Sequence, residues 1–349
     1  MEPLEVKQVK DQIECKIASG NQGAGILAIY DNKDLKTPIK EIEVNLVDGK
    51  FELPAHFTNR RFFLKLTIGN KTYFGALRHL ELTGLYNLRD LGGYQGQFGS
   101  VKWGLLYRSD ALDGLNQADL VWMKNLAVET VIDLRSQQEI ERNPDQEIGA
   151  RERYEIDPSA FVAASASAMP DEKTHDQKRV ASLQYLAQSP AGREKLEAMK
   201  GQMIVQMHDM VAKPVSQTAY AKFLTVVLNA KIPILFHCQG GKDRTGWGAA
   251  LLLGLLGIDE ETIMQDYLLT KQYNVFRNSK RMASYAKYTD NELVLDYLHS
   301  LQQTKSEYLN SSFKALKELA PSFEVYAEKY LNFSADKVKE LRHKFLSED

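Results

Sequence analysis

Apolar and polar positions alternate with period two through roughly the first 80 residues, in seven short runs. They are LEVKQV (4–9), IECKIA (13–18), GILAIY (25–30), EIEVNLV (41–47), FELP (51–54), RFFLKLTI (61–68) and KTYFGAL (71–77). Successive side chains of a strand point to opposite faces, so this alternation predicts half-buried β-strands. GNQGAG (20–25), DNKD (31–34), DGK (48–50) and GNK (69–71) supply the turns between them. Seven strands at this spacing predict a small antiparallel β-sandwich over 1–80, immunoglobulin-like or fibronectin-like in outline. The segment carries no clustered His, Cys or acidic constellation and reads as a packing or docking module.

From about residue 84 the pattern changes. VETVIDL (128–134), RYEID (153–157) and KIPILFH (231–237) are apolar runs of central-strand length. NQADLVWMKNLA (116–127) and TAYAKFLTVVLNA (218–230) carry helical spacing between them. The alternation predicts an α/β domain over 81–349, with a mainly parallel sheet flanked by helices. Five helical segments follow from 259: DEETIMQDYLLTKQY, DNELVLDYLHSLQ, KSEYLNSSFKALKELA, PSFEVYAEKYL and SADKVKELRHKFL. The small-residue stretch PSAFVAASASAMPDE (158–172) is longer than most connections in compact domains. With the helical stretches up to 211 it reads either as a surface insertion or as a lid over a site.

Composition narrows the partners. The chain has 349 residues, more than one compact core usually holds, which again points to two domains. Hydrophobic content of 44% and charged content of 26% are ordinary for a globular protein. A formal net charge of −2 gives no case for nucleic acid or an anionic membrane as the main partner. Any anion site must therefore be local. LLLGLLGI (251–258) is too short for a membrane span, which needs ~18 residues, so no integral membrane association is expected. Two cysteines, Cys15 and Cys238, make no disulfide framework and point to a reducing compartment such as the cytoplasm. The opening MEPLEVKQVK has no signal pattern, and an exported chain with its signal removed stays open. The oligomeric state is not readable.

Candidate chemistry concentrates in ILFHCQGGKDRTGWGAALLLG (234–254). A strand ending at His237 and a helix beginning near Thr245 leave 238–244 as a tight turn. Gly240 and Gly241 permit close backbone approach and positive φ. The N–H groups of such a turn, with the helix N-terminus, form an anion cradle. Arg244 adds a planar fork suited to two phosphate oxygens. The same positive surroundings lower the Cys238 thiol from ~8.5, which makes it a nucleophile facing a bound phosphate. A Walker A loop fails, because position 236 is Phe and Asp243 follows Lys242. A zinc site lacks partners at metal spacing. A merely buried cysteine leaves the flanking His, Gly, Arg and Thr unexplained.

HCQGGKDRTG resembles the phosphate-binding loop of Cys-x5-Arg protein tyrosine phosphatases, and in particular of the bacterial atypical tyrosine and lipid phosphatases. GLYNLRDLGGY (84–94), LLYRSDAL (105–112), VIDLRSQQEI (131–140) and IMQDYLLTKQYN (263–274) extend the likeness to about 80–349. The resemblance implies a phosphomonoesterase with Cys238 as nucleophile and Arg244 on the phosphate. It places the N–H groups of 239–244 (Gln239, Gly240, Gly241, Lys242, Asp243, Arg244) on the equatorial oxygens. His237 would orient the loop, and Thr245 would hydrogen-bond the sulfur. Asp243 is the favoured general acid and Asp133 the second candidate, with pairing to Arg135 or to a helix N-terminus as its structural alternative. Lys242 would add charge for polyanionic substrates, or merely balance Asp243. No metal or cofactor is implied, and the partner would be a phosphorylated protein or a phosphoinositide. An adaptor that binds phosphate without turnover is the rival, and a sulfur-transfer enzyme would space its arginine differently.

Overall fold

The computed structural model describes residues 2–10, 12–18, 23–54, 60–160, 162 and 172–347. The anticipated lid loop falls largely on 161 and 163–171, outside the described residues. Each of the seven alternating runs forms a strand: β1 Glu2–Val9, β2 Gln12–Ile17, β3 Gly23–Tyr30, β4 Lys40–Leu46, β5 Lys50–Pro54, β6 Phe63–Ile68 and β7 Lys71–Gly75. They join in the order β4-β3-β6-β7-β1-β2-β5. All neighbours are antiparallel except β1 and β7, which pair in parallel over Glu2–Tyr73 and Pro3–Phe74 alone. That two-residue contact links the three-stranded β1-β2-β5 array to the four-stranded β4-β3-β6-β7 array. Inward side chains from both, among them Leu4, Ile13, Leu27, Val44 and Leu66, meet in one apolar cluster.

A second sheet organises the rest of the chain. Its strands are β8 Arg89–Asp90, β11 Leu106–Ser109, β12 Thr130–Asp133, β13 Glu152–Glu155 and β14 Ile234–His237, with a small β9 (Gln95–Gly96) and β10 (Gly99–Ser100) hairpin beside it. The order is β13-β12-β14-β11-β8. Four strands run parallel, and β8 is antiparallel at one edge. β14 is central and buried along its whole length, as its unbroken apolar run requires.

Helices surround this sheet. Before β14 come α1 Gln117–Lys124, α2 Gln137–Arg142, α3 Glu172–Ala187, α4 Pro190–Lys200, α5 Gln202–Ala212 and α6 Pro214–Asn229. After it come α7 Asp243–Leu255, α8 Glu260–Tyr273, α9 Val275–Ala286, α10 Glu292–Gln302, α11 Ser306–Leu319, α12 Phe323–Leu331 and α13 Ala335–Phe345. Capping boxes at Asn116/Asp119 and Ser136/Glu139 start α1 and α2. Helix α9 lies in the stretch from 259 read as nearly all helical, between the segments named there. Its inward face carries Arg277 and Arg281 beside Tyr285, while Val275 and Phe276 are exposed, so burial runs against the apolar pattern.

The two parts share their packing. Leu77, Leu80, Leu88, Tyr107, Val131 and Leu235 belong to the same apolar cluster as the β-module core. Arg61 of the module reaches across, buried, to the Asp90 carboxylate and the Leu77 carbonyl. Asp90 also accepts from the N–H groups of Gly92 and Gly104, each at 2.8 Å. Gly104 has φ +78°, and a Cβ there would lie 2.9 Å from the Phe63 ring. Removing one partner of a buried ion pair strands the other charge, at about 3–5 kcal/mol. Arg61→Met should therefore lower the unfolding free energy by that order, read as a lower urea midpoint with the denaturant slope unchanged.

Candidate active site

The site lies at the C-terminal end of β14, where parallel α/β sheets place their ligands. Strand β14 stops at His237, and α7 begins at Asp243, two residues earlier than expected. All nine residues from His237 to Thr245 are buried. The loop's carbonyls are bound from outside. Asn87 Nδ2 donates to Gly240 O at 3.2 Å and Gly241 O at 3.0 Å. Asn274 Nδ2 donates to Gly240 O at 2.9 Å, and Arg108 donates to Gly241 O at 2.9 Å. Ala111 N–H reaches Gln239 O at 3.3 Å. In a trans peptide the C=O of one residue and the N–H of the next point opposite ways. The N–H groups of Gly240, Gly241 and Lys242 are therefore turned towards the inside of the loop. Gly241 has φ +62°, and a Cβ on it would meet Ser109 O at 2.4 Å, so the turn requires glycine.

Arg244 is held by a two-pronged ion pair. Its two terminal nitrogens donate to Glu139 Oε2 and Oε1 at 2.6 and 2.8 Å, while Nε has no partner. Burial pushes the Glu139 carboxyl up, but Arg244 and Ser136 more than offset it and bring it from 4.5 to about 2. Burial likewise pushes the Cys238 thiol up. The Arg244 charge, with the hydroxyl and amide of Thr245, outweighs it and leaves the thiol below its ordinary value. Thr245 Oγ1 has no hydrogen-bond partner in normal geometry, so its effect on the sulfur is that of a nearby dipole. Cys15 in β2 has no such neighbours, and burial alone pushes it up to about 12.

His237 sits behind the loop between two carboxylates. Its Nε2 lies 3.0 Å from Asp145 Oδ2, an ion-pair distance without hydrogen-bond alignment, and Nδ1 lies 3.9 Å from Asp133 Oδ1. Burial alone would push the imidazole down; Asp145 and Asp133 outweigh this and raise it above 6.5. Asp133 is 1% exposed and gives both oxygens to Arg135, at 3.0, 3.0 and 2.7 Å. Of its two sequence-based readings, the Arg135 pairing is the one the geometry matches. Asp133, Asp145 and His237 are the one group of metal-ligating types brought together among the described residues. Arg135 and Arg153 already pair with its carboxylates.

Asp243 is 1% exposed, with neither carboxylate oxygen hydrogen-bonded and the Lys242 ammonium 3.4 Å away. The equally unpartnered Tyr267 hydroxyl is pushed well above its usual value by burial and then by Asp243. Lys242 lies beside the Asp243 carboxylate and is turned to the end of α10. Its ammonium donates to Leu301 O at 2.9 Å and Gln303 O at 3.1 Å at the end of α10, and the residue is 4% exposed.

The supporting residues were not singled out by sequence reasoning. Asn87, Arg108, Glu139, Asp266 and Asn274 fall inside the segments that carry the family likeness, but nothing in their spacing shows what they hold. Asp266 binds Arg89 at 3.0 Å and Arg108 at 2.6 Å, and Tyr94 donates to it at 3.0 Å. Asp145 lies outside those segments and gave no signal.

A model of the tyrosine phosphatase family matches residues 80–347. The chain belongs to that family. A protein of Cupriavidus necator, provisionally named a tyrosine-protein phosphatase, is 30% identical over 241 residues, covering 68% of this chain and 79% of that protein. The triple specificity protein phosphatase PtpB of Mycobacterium tuberculosis is 27% identical over 195 residues, covering 54% and 67%. The β-module precedes the family match. No described helix of this phosphatase is long and apolar enough to cross a membrane.

Two outcomes follow from the electrostatics. Iodoacetate at neutral pH should label Cys238 and leave Cys15 unmodified in the native protein, read by peptide mass. Charge-assisted hydrogen bonds contribute about 1.5–3 kcal/mol, so Glu139→Gln should lower kcat/KM roughly ten- to a hundredfold. The Glu139 carboxyl is depressed on folding, so its stabilising effect is complete above about pH 4.5 and is lost as pH falls towards 2. The stability gap between Glu139→Gln and wild type should narrow across that window.

Proposed function

We propose that the protein hydrolyses phosphotyrosine monoesters through a cysteinyl-phosphate intermediate and needs no metal. The Cys238 thiolate attacks phosphorus as the ester P–O bond breaks, and Asp243 gives its proton to the leaving oxygen. Water then attacks phosphorus, the P–S bond breaks, and Asp243 takes the water's proton. Inorganic phosphate leaves and the thiolate is restored. The inward N–H groups and Arg244 hold the equatorial oxygens. Glu139 takes one N–H from each terminal nitrogen of Arg244, which leaves Nε–H and the remaining N–H groups for phosphate. Thr245 stabilises the sulfur as it departs. His237 and Asp133 act behind the loop as positioning groups.

The observation that carries this reading is the unpartnered, buried Arg244 Nε beside a thiol whose thiolate form is favoured. A buried N–H without a partner costs about 1–3 kcal/mol unless a ligand satisfies it. A dianionic phosphate is the ligand that matches an arginine, a helix N-terminus and three inward amides together. Lys242 bears on substrate class. Its ammonium is bound by two backbone carbonyls, which favours a single phosphomonoester over a polyphosphorylated headgroup.

Phosphate release in EDTA tests the reading. Wild type should turn over a phosphotyrosyl peptide, and Cys238→Ser should not. Asp243→Asn should lower kcat on peptide by about 10²–10⁴-fold, with less loss on a substrate whose leaving group needs no proton. Tight phosphate binding by wild type without turnover would favour the adaptor instead.

A further inference from the structure

We propose that Tyr267 is the positioning residue of the general acid: its hydroxyl donates a hydrogen bond to the Asp243 carboxylate and fixes the direction in which that acid delivers its proton. The inference rests on the phosphatase reading above and gives a role to a buried group that the reading leaves unused.

The two residues come from different helices. Asp243 opens α7, and Tyr267 lies midway along α8. Gly246 stands at i+3 from Asp243, on the same face of α7. The Tyr267 ring packs on that glycine so closely that a Cβ there would lie 2.8 Å from Cε2 and 2.9 Å from Cδ2. The ring therefore lies against the face of α7 that carries Asp243. Helix α8 is held firmly at this point. Asp266, next to Tyr267 in the chain, binds Arg89 at 3.0 Å and Arg108 at 2.6 Å. Arg108 in turn donates to Gly241 O of the catalytic loop at 2.9 Å. Helix and loop are thus locked together beside the tyrosine.

Hydroxyl and carboxylate each lack another partner. Tyr267 is 1% exposed, and its hydroxyl makes no aligned hydrogen bond. Both Asp243 oxygens are buried in the same state. The Lys242 ammonium, 3.4 Å from Asp243 Oδ2, is already bound by Leu301 O and Gln303 O. A buried hydroxyl without a partner costs stability, and a phenylalanine would fill the same space without that cost. Asp243 is the acceptor within reach: after burial, its carboxylate does most to push the tyrosine up, and a hydrogen bond between the two adds to the rise. The pair is close without being aligned, as catalytic hydrogen bonds often are before substrate tightens them. A phenol pushed up in this way stays protonated at neutral pH and serves as a donor.

The role follows from the two steps of the reaction. Asp243 gives a proton from one oxygen as the ester P–O bond breaks, and takes one from water as the P–S bond breaks. An O–H donated to its other oxygen holds the carboxyl plane through both steps. It also stabilises the carboxylate charge between them, while the tyrosine keeps its own proton.

Tyr267→Phe tests this, because it keeps the ring on Gly246 and removes the hydroxyl alone. The substrates are phenyl phosphate, whose leaving group needs a proton, and p-nitrophenyl phosphate, whose leaving group does not. kcat/KM should fall about three- to tenfold on the first and under about twofold on the second. In an Asp243→Asn background the same substitution should lower neither rate further. Iodoacetate should alkylate Cys238 as fast in Tyr267→Phe as in wild type. Equal losses on the two esters, additive losses in the double variant, or an unchanged rate on phenyl phosphate would each overturn the proposal. So would slower alkylation, since the hydroxyl would then be supporting the loop itself. Turnover of phenyl phosphate that depends on Asp243 but not on Tyr267 would leave the phosphatase reading standing alone. A wild type that releases phosphate from neither ester would remove both.

Discussion

The site depends on where the carbonyls of the 238–244 loop point. Left alone, a tight turn presents carbonyl and amide dipoles in both directions and offers an anion little. Here Asn87, Asn274 and Arg108 bind the carbonyls of Gly240 and Gly241 from behind, and the planar trans peptide turns the following amides inward. Those amides add to the N-terminus of α7, so the field at the loop's centre is positive before any substrate arrives. Beside that cradle the Arg244 charge, with the hydroxyl and amide of Thr245, outweighs burial and holds the Cys238 thiol below its ordinary value. Preorganisation of this kind requires no rearrangement when charge develops on phosphorus.

The donors that orient the loop are themselves oriented by buried charge. Arg89 and Arg108 converge on Asp266, Arg135 spans Asp133 and Asp145, and Arg244 grips Glu139. Burying so many ions gives little net stability, since desolvation offsets most of the attraction. What the pairs provide is position. A guanidinium fixed by two carboxylate oxygens cannot swing, and any single deletion leaves its partner charged and dry. The β-module is tied into the same ground: Arg61 reaches Asp90 next to Arg89, which binds Asp266. Packing is likewise continuous, as Leu4 and Leu235 belong to one apolar cluster.

Sequence made the outline of this molecule readable, and the reasons are physical. Alternation marked all seven strands of the module because one face of each is buried against the other strands. The HCQGGKDRTG loop stood out because its functional groups are contiguous, so chemistry and spacing could be read together. Its supports are scattered from Asn87 to Asn274, and only folding brings an asparagine side chain to a carbonyl some 150 residues away. Helix α9 was not marked out within the helical stretch because its buried face carries Arg277 and Arg281 while Val275 and Phe276 are exposed, against the apolar pattern. Lys242 could be read from its place in the loop either as added charge for the substrate or as a partner of Asp243. Its direction is set by the carbonyl end of α10, which local sequence does not reveal.

The central claim is that a phosphoryl group passes through the Cys238 sulfur. The direct measurement is acid quench of the enzyme during turnover of a radiolabelled phosphomonoester, followed by peptide mapping. The account predicts up to one phosphoryl group per chain, confined to the peptide that contains Cys238, with none in Cys238→Ala. Steady turnover with no label on that peptide, or with label on another residue, would contradict it.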